Sequence, residues 1–109
     1  MSLGKKKFEK LLKMQELSTQ VEDDNARLAG LLQELKDAGK RHEELHELYD
    51  RDWMELAGSP DLTDDQVAAL ERDPSNQRYS ILAEDTIWNA LSDQYDLKIR
   101  ILKAVAKRL

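Results

Sequence analysis

Cysteine is absent from this chain, so disulfides, thiol catalysis and thiolate metal sites are excluded. Proline occurs twice and glycine four times in 109 residues, which is too few turn residues for a chain of many short strands. No apolar run approaches the roughly 18 residues of a membrane span, and no signal peptide is visible. The composition predicts a small helical protein, and we expect it in the cytoplasm.

Charged side chains make up 36% of the residues and are unevenly distributed. Residues 1–13 contain five lysines and one glutamate, and residues 98–109 contain five basic residues and no acid. Because the net charge is −5, the segment between these basic ends is strongly acidic. No nucleic-acid-binding motif accompanies the basic ends, and basic residues at a helix C-terminus are ordinary. We therefore predict no nucleic-acid or membrane partner, while binding of an anionic polymer through the basic helix ends stays an alternative.

Apolar residues recur at helical spacing from Lys5 to about Tyr49, with no proline between them. In heptads that place Met14 at position a, the apolar a and d positions include Met14, Leu17, Val21, Leu28, Leu31, Leu35 and Leu45. This pattern predicts one long amphipathic helix, which either breaks near Asp50 or continues to Ala57. Ser18, Asp24 and Asn25 interrupt its apolar stripe.

Turn and capping signals divide the second half of the chain. Gly58 followed by Pro60 ends the first helix, with the glycine at the C′ position. Thr63 and Gln66 have the spacing of a capping box and predict a short helix that stops before Pro74. The last helix is predicted from about Ala83 to the C-terminus. The predicted class is all-α: a long N-terminal amphipathic helix, a short middle helix, and a C-terminal helix packed antiparallel as a helical hairpin or three-helix arrangement.

The C-terminal half carries a recognisable series of residues: Leu48-Tyr49, then Trp53, then Ile81-Leu82-Ala83-Glu84-Asp85 at the start of a helix. This series resembles the small bacterial family catalogued as domain of unknown function 4298. Two positions depart from the family pattern, since Ala83 replaces a serine and Asp50 replaces a second tyrosine. The resemblance implies an intracellular bacterial helical protein, and it implies no activity.

His42-Glu43-Glu44-Leu45-His46 spells the H-E-x-x-H motif of zinc proteases. On a helix, the two histidines share a face and are able to bind zinc. A catalytic zinc normally needs a third protein ligand, and the chain has only these two histidines. In a glutamate-rich helix such a pair also arises by chance. We predict no catalytic, cofactor or metal residues, and a small metal-binding protein or enzyme using His42 and His46 stays an alternative.

The predicted first helix is about 68 Å long and the last about 40 Å, so an antiparallel partner within the chain leaves part of the first helix uncovered. We predict that this part is an association surface, formed by Phe8, Leu11, Leu12, Met14, Leu17 and Val21. Residues 1–109 are then one helical domain, with residues 1–27 protruding from a core of residues 28–109. The predicted function is that of a non-catalytic structural or interaction protein that forms coiled-coil-like contacts with a protein partner or with a second copy, as in a dimer.

Overall fold

The computed structural model describes the whole chain, Met1–Leu109, as helices joined by turns, with no strand. Its elements are α1 (Lys5–Leu48), a π turn (Tyr49–Trp53), α2 (Met54–Ala57), α3 (Asp64–Arg72) and α4 (Thr86–Lys107). The predicted all-α class, with a long N-terminal helix, a short middle helix and a C-terminal helix, is confirmed. None of these helices combines the length and the apolar composition needed to cross a bilayer.

The chain forms two compact units, an N-terminal unit of residues Met1–Gly39 and a C-terminal unit of residues Lys40–Leu109. The helical part of the N-terminal unit is the first part of α1 alone, and α1 contains no buried side chain. In the C-terminal unit, Ile87 and Leu91 of α4 are the buried apolar side chains. The hydrophobic core is therefore small and is centred on α4.

Within the C-terminal unit, the last turns of α1 run antiparallel to α4. The ring of His42 lies against Leu91, with its Nε2 3.2 Å from the Leu91 carbonyl oxygen. Further along α1, Leu45 and Tyr49 line the same cavity as Ile87. Residue numbers therefore rise along one helix as they fall along the other, which is the predicted antiparallel arrangement.

The first helix does not break near Asp50. Its backbone passes through the π turn Tyr49–Trp53 into α2, and both flanking residues, Leu48 and Met54, keep right-handed helical dihedrals. A π turn holds one residue more than an α turn and is uncommon outside functional or strained segments. Because of this extra residue, the side chains after the turn point in different directions from those that the same residues would have in an unbroken α-helix.

Gly58 ends α2, as the sequence predicts, but in a right-handed conformation with φ −95° and ψ 5°. Its amide donates to the Met54 carbonyl oxygen, and the Ser59 amide donates to the Leu56 carbonyl oxygen, each at 3.3 Å. A β-carbon at this position would lie 3.1 Å from the Met54 carbonyl oxygen, closer than ordinary contact. Close approach to the helix end therefore favours glycine here, and a left-handed cap is not formed.

The predicted capping box is present at the start of α3. The Thr63 hydroxyl accepts a hydrogen bond of 3.1 Å from the Gln66 amide, and the Gln66 side-chain oxygen accepts one of 3.1 Å from the Thr63 amide. Two of the amides left free at a helix start are thereby satisfied. At the other end, Asp73 turns to an extended conformation ahead of Pro74, which confirms the predicted stop.

The last helix begins at Thr86, three residues after the predicted start at Ala83. Residues 81–85 form turns instead, in which the Ala83 amide donates to the Ser80 carbonyl oxygen at 3.2 Å and the Thr86 amide donates to the Ala83 carbonyl oxygen at 3.3 Å. The carbonyl oxygen of Ile81 accepts a hydrogen bond of 2.7 Å from the indole Nε1 of Trp53, which joins these turns to the π turn.

Candidate functional site

The six apolar side chains of the predicted association surface all lie on the N-terminal unit, and all are exposed to solvent: Phe8, Leu11, Leu12, Met14, Leu17 and Val21. Their exposed fractions range from 46% for Leu17 to 61% for Met14. Because this unit contains a single helix, no other element within it covers them. Contiguous exposed apolar surface of this kind is typical of association sites.

The six side chains occupy two faces of α1. An α-helix turns by about 100° per residue, so Phe8 and Leu17, nine residues apart, point in opposite directions. Phe8, Leu11 and Leu12 form one small patch near the helix start. Met14, Leu17 and Val21 continue along the helix into Leu28 and Leu31, and these five residues are called the seam below. A partner helix that lies along the seam leaves most of the first patch uncovered.

Two blocks of opposite charge lie on this part of α1. The basic block, residues 5–13, contains five lysines and one glutamate, and the acidic block, residues 16–24, contains four acids and no base. Local ion pairs join Lys13 to Glu16 at 3.5 Å and Arg27 to Asp24. The remaining charges have no ion-pair partner: Lys5, Lys6, Lys7, Lys10, Glu9, Glu22 and Asp23. Most of the charges of the basic block and half of those of the acidic block are therefore free to attract a second surface.

The second basic segment lies at the end of α4, in the C-terminal unit, and its residues are Lys98, Arg100, Lys103, Lys107 and Arg108. None of them forms an ion pair with an acid. Positive charge near a helix C-terminus interacts favourably with the helix dipole. The segment thus stabilises its own helix whether or not an anion binds there.

The two histidines of the H-E-x-x-H series lie on one side of α1, with ring centroids 6.2 Å apart. Each Nε2 atom already has a partner. The His42 Nε2–H donates to the carbonyl oxygen of Leu91 at 3.2 Å, and the His46 Nε2 lies 3.0 Å from an Asp50 carboxylate oxygen. No group of three histidine or acidic side chains is placed to hold a metal ion. The arrangement gives the pair no third ligand.

The C-terminal unit also contains an open apolar cavity of about 340 Å³. Its lining residues are Leu45, Leu48, Tyr49, Asp52, Trp53, Leu56, Ala57, Leu62, Leu70, Ile81, Leu82 and Ile87. The rings of Tyr49 and Trp53 lie 5.5 Å apart, and the Trp53 indole bonds to Ile81. The π turn places both rings beside this cavity.

Sequence reasoning did not predict this cavity, although it did single out several of the residues that line it. Leu48, Tyr49, Trp53, Ile81 and Leu82 carry the family resemblance, and the structure brings all five to one cavity. The available signal was that these five residues belong to the one series that carries the resemblance. They line this cavity of the C-terminal unit, and the exposed apolar surface of the N-terminal unit is a separate feature.

Comparison with known proteins gives one result. The family model described as domain of unknown function (DUF4298) matches residues 11–104. No curated protein and no solved structure matches the chain. The matched range includes the cavity residues of the C-terminal unit and most of α1, but it begins after Phe8 and most of the basic block.

Proposed function

Since the chain belongs to the DUF4298 family, whose name assigns no function, we propose a function from its own side chains: a non-catalytic structural protein that self-associates through α1. The contacts are coiled-coil-like, and the surface that makes them is the part of the seam that contains Met14, Leu17 and Val21, with the patch of Phe8, Leu11 and Leu12 at its edge. The partner is a second copy of the chain. We further propose that the protein acts in the bacterial cytoplasm.

One observation carries this proposal. Met14, Leu17 and Val21 lie in succession on one face of α1, all are about half exposed, and the unit that contains them has no second element. Removing such side chains from water is the main favourable contribution to association, at about 25 cal/mol for each Å² of apolar surface. Helix pairing buries a stripe of this spacing, because residues three and four apart share a face.

The sequence and the geometry give less support to an enzyme. A nucleophile, base or metal centre requires side chains within hydrogen-bonding or coordination distance of one another. The strongest such pair, His42 and His46, has both Nε2 atoms engaged with other partners and lacks a third ligand. The metal-binding alternative therefore has no specific observation in its favour.

Sedimentation of the full chain at tens of micromolar tests the proposal. We expect the wild type to sediment as a dimer, and a variant with Met14→Gln, Leu17→Gln and Val21→Gln to sediment as a monomer. Glutamine keeps a high helix propensity, so the helix itself is retained. The control variant, Gln15→Ala and Gln20→Ala, changes polar positions of the same helix and should remain a dimer. A wild type that sediments as a monomer throughout this range contradicts the proposal.

A further inference from the structure

We propose that the two copies pair antiparallel, with the basic block of one α1 facing the acidic block of the other. This inference rests on the proposed self-association and adds its orientation and register. The basic block is residues 5–13 and the acidic block is residues 16–24, and both carry charges without an ion-pair partner in their own chain. The two blocks are adjacent on one helix, so only an antiparallel second copy brings each against its opposite.

The charge pattern disfavours the parallel alternative. A parallel, in-register pair places lysines opposite lysines and the acids of residues 22–24 opposite the same acids. Like charges that face each other across a helix pair oppose association, and opposite charges select the partner orientation. Reversing one helix places the lysine-rich block of each copy beside the acidic block of the other, with Glu9 opposite Glu22 as the one like-charge pair in the register given below.

The start of α1 adds an independent electrostatic reason. Its first turn contains Lys5, Lys6 and Lys7 and no acid. The N-terminus of a helix carries partial positive charge, so lysines there are unfavourably placed and acids nearby are favourable. In the antiparallel pair, Glu22, Asp23 and Asp24 of the second copy lie beside this end. They compensate the lysines and the helix dipole together.

The apolar seam defines the register. In antiparallel helix pairs, a positions of one helix meet d positions of the other, which limits the pairing to steps of seven residues. When the two facing residue numbers add up to 31, Met14 faces Leu17 of the second copy, and Lys7 faces Asp24. Asp24, the acid that interrupts the apolar stripe, thus lies opposite Lys7 of the second copy. Lys10 faces Val21 in the same pairing and covers it with its aliphatic stem.

A second register, shifted along the helix, shows that charge as well as apolar contact decides how the two copies align. If facing residue numbers add up to 45, Leu17 meets Leu28 of the second copy, which is a better apolar match. That shift, however, places Glu22 and Asp23 of both copies face to face at the centre. The register that adds up to 31 avoids this repulsion and overlaps the two helices over about 22 residues, or roughly 33 Å.

Cysteine cross-linking of the full chain tests the orientation, because the native chain contains no cysteine. A disulfide requires the two α-carbons to lie within about 7 Å of each other. Lys7→Cys and Asp24→Cys variants are mixed in equal amounts and oxidised, and disulfide-linked species are identified by mass spectrometry. In the antiparallel pair, position 7 faces position 24, whereas the two copies of position 7 lie about 25 Å apart.

We expect the mixed disulfide between positions 7 and 24 to exceed either homodisulfide at least tenfold, and Glu47→Cys, outside the paired segment, to give no disulfide with either variant. Predominant 7–7 and 24–24 disulfides in a dimeric wild type would overturn the antiparallel inference and leave self-association standing. A monomeric wild type by sedimentation would overturn both. A dimer in which none of these disulfides forms would overturn the register.

Discussion

The indole Nε1 of Trp53 donates a hydrogen bond of 2.7 Å to the carbonyl oxygen of Ile81, 28 residues further along the chain. This bond joins the π turn to the segment that precedes α4. One side chain therefore connects the end of the long helical segment to the turns that precede α4.

Trp53→Phe should lower the free energy of unfolding of the C-terminal unit by about 1 kcal/mol, because it removes one hydrogen bond and retains most of the ring. Urea unfolding followed by circular dichroism measures the change. Trp88→Phe is the matched control, since Trp88 is 59% exposed and its indole makes no hydrogen bond within the chain. Equal effects of the two substitutions would contradict a structural role for the Trp53–Ile81 bond.

Leu91→Ala should destabilise the C-terminal unit by about 2 kcal/mol, at the lower end for buried leucines, because the surrounding core is small. Leu102→Ala on the same helix removes a side chain that is 63% exposed, and we expect a change below about 0.5 kcal/mol. The same unfolding measurement compares the two. A loss for Leu102→Ala as large as that for Leu91→Ala would show that the core lies elsewhere on α4.

Thr63→Ala should reduce the stability of α3 by about 1 kcal/mol, because the hydroxyl that accepts from the Gln66 amide is lost. Thr63→Ser retains a hydroxyl and should remain close to the wild type. Amide hydrogen exchange at Gln66 and the following residues of α3 reports the difference locally. Unchanged protection in the alanine variant would mean that the capping box does not limit the opening of this helix.

Hydrogen bonds from the Ser75 side chain and backbone amide hold the pKa of Asp73 below its ordinary value. A carboxyl whose pKa is lower in the folded state stabilises the fold above its unfolded pKa, and this contribution is lost as the pH falls through the folded pKa. Ser75→Ala removes the larger of the two causes and should raise the pKa of Asp73. Titration of the Asp73 carboxyl by NMR measures it, and an unchanged value would exclude the hydroxyl as the cause.

Zinc titration by calorimetry tests the alternative function. We expect no tight, stoichiometric binding, because the Nε2 atoms of His42 and His46 are engaged and no third ligand is near. His46→Ala should therefore leave the titration unchanged. Stoichiometric binding that disappears in this variant would favour a metal protein over the proposed structural role.

Local signals in the sequence predicted the helices well. Thr63 and Gln66 form their capping box within four residues, and Pro74 acts on the residue directly before it, so both are determined without the rest of the fold. The start of α4 was predicted three residues too early: Glu84 and Asp85 are typical of a first helical turn, but they lie in the turns before Thr86. The bond between Trp53 and Ile81, which joins this segment to the π turn, spans 28 residues and no local pattern contains it.

For the candidate site, too, local features were predictable from the sequence and long-range ones were not. The exposure of Phe8, Met14 and Val21 is consistent with a helix that has more apolar residues than its unit can cover. Phe8 falls at heptad position b and Leu17 at position d, so the heptad positions already separate the two faces that the prediction grouped as one surface. The cavity lined by Tyr49 and Leu82 was not predicted, because residues from four separate elements and turns meet only in the folded chain.

The π turn Tyr49–Trp53 has a consequence for changes in chain length. A π turn completes one rotation with one residue more than an α turn, so deleting one of its residues would convert it into an ordinary α turn and leave the helix on either side with nearly its present orientation. The change would be local and would fall on the rings of Tyr49 and Trp53 beside the cavity. A one-residue deletion within α2 would instead rotate the residues on its two sides by about 100° against each other.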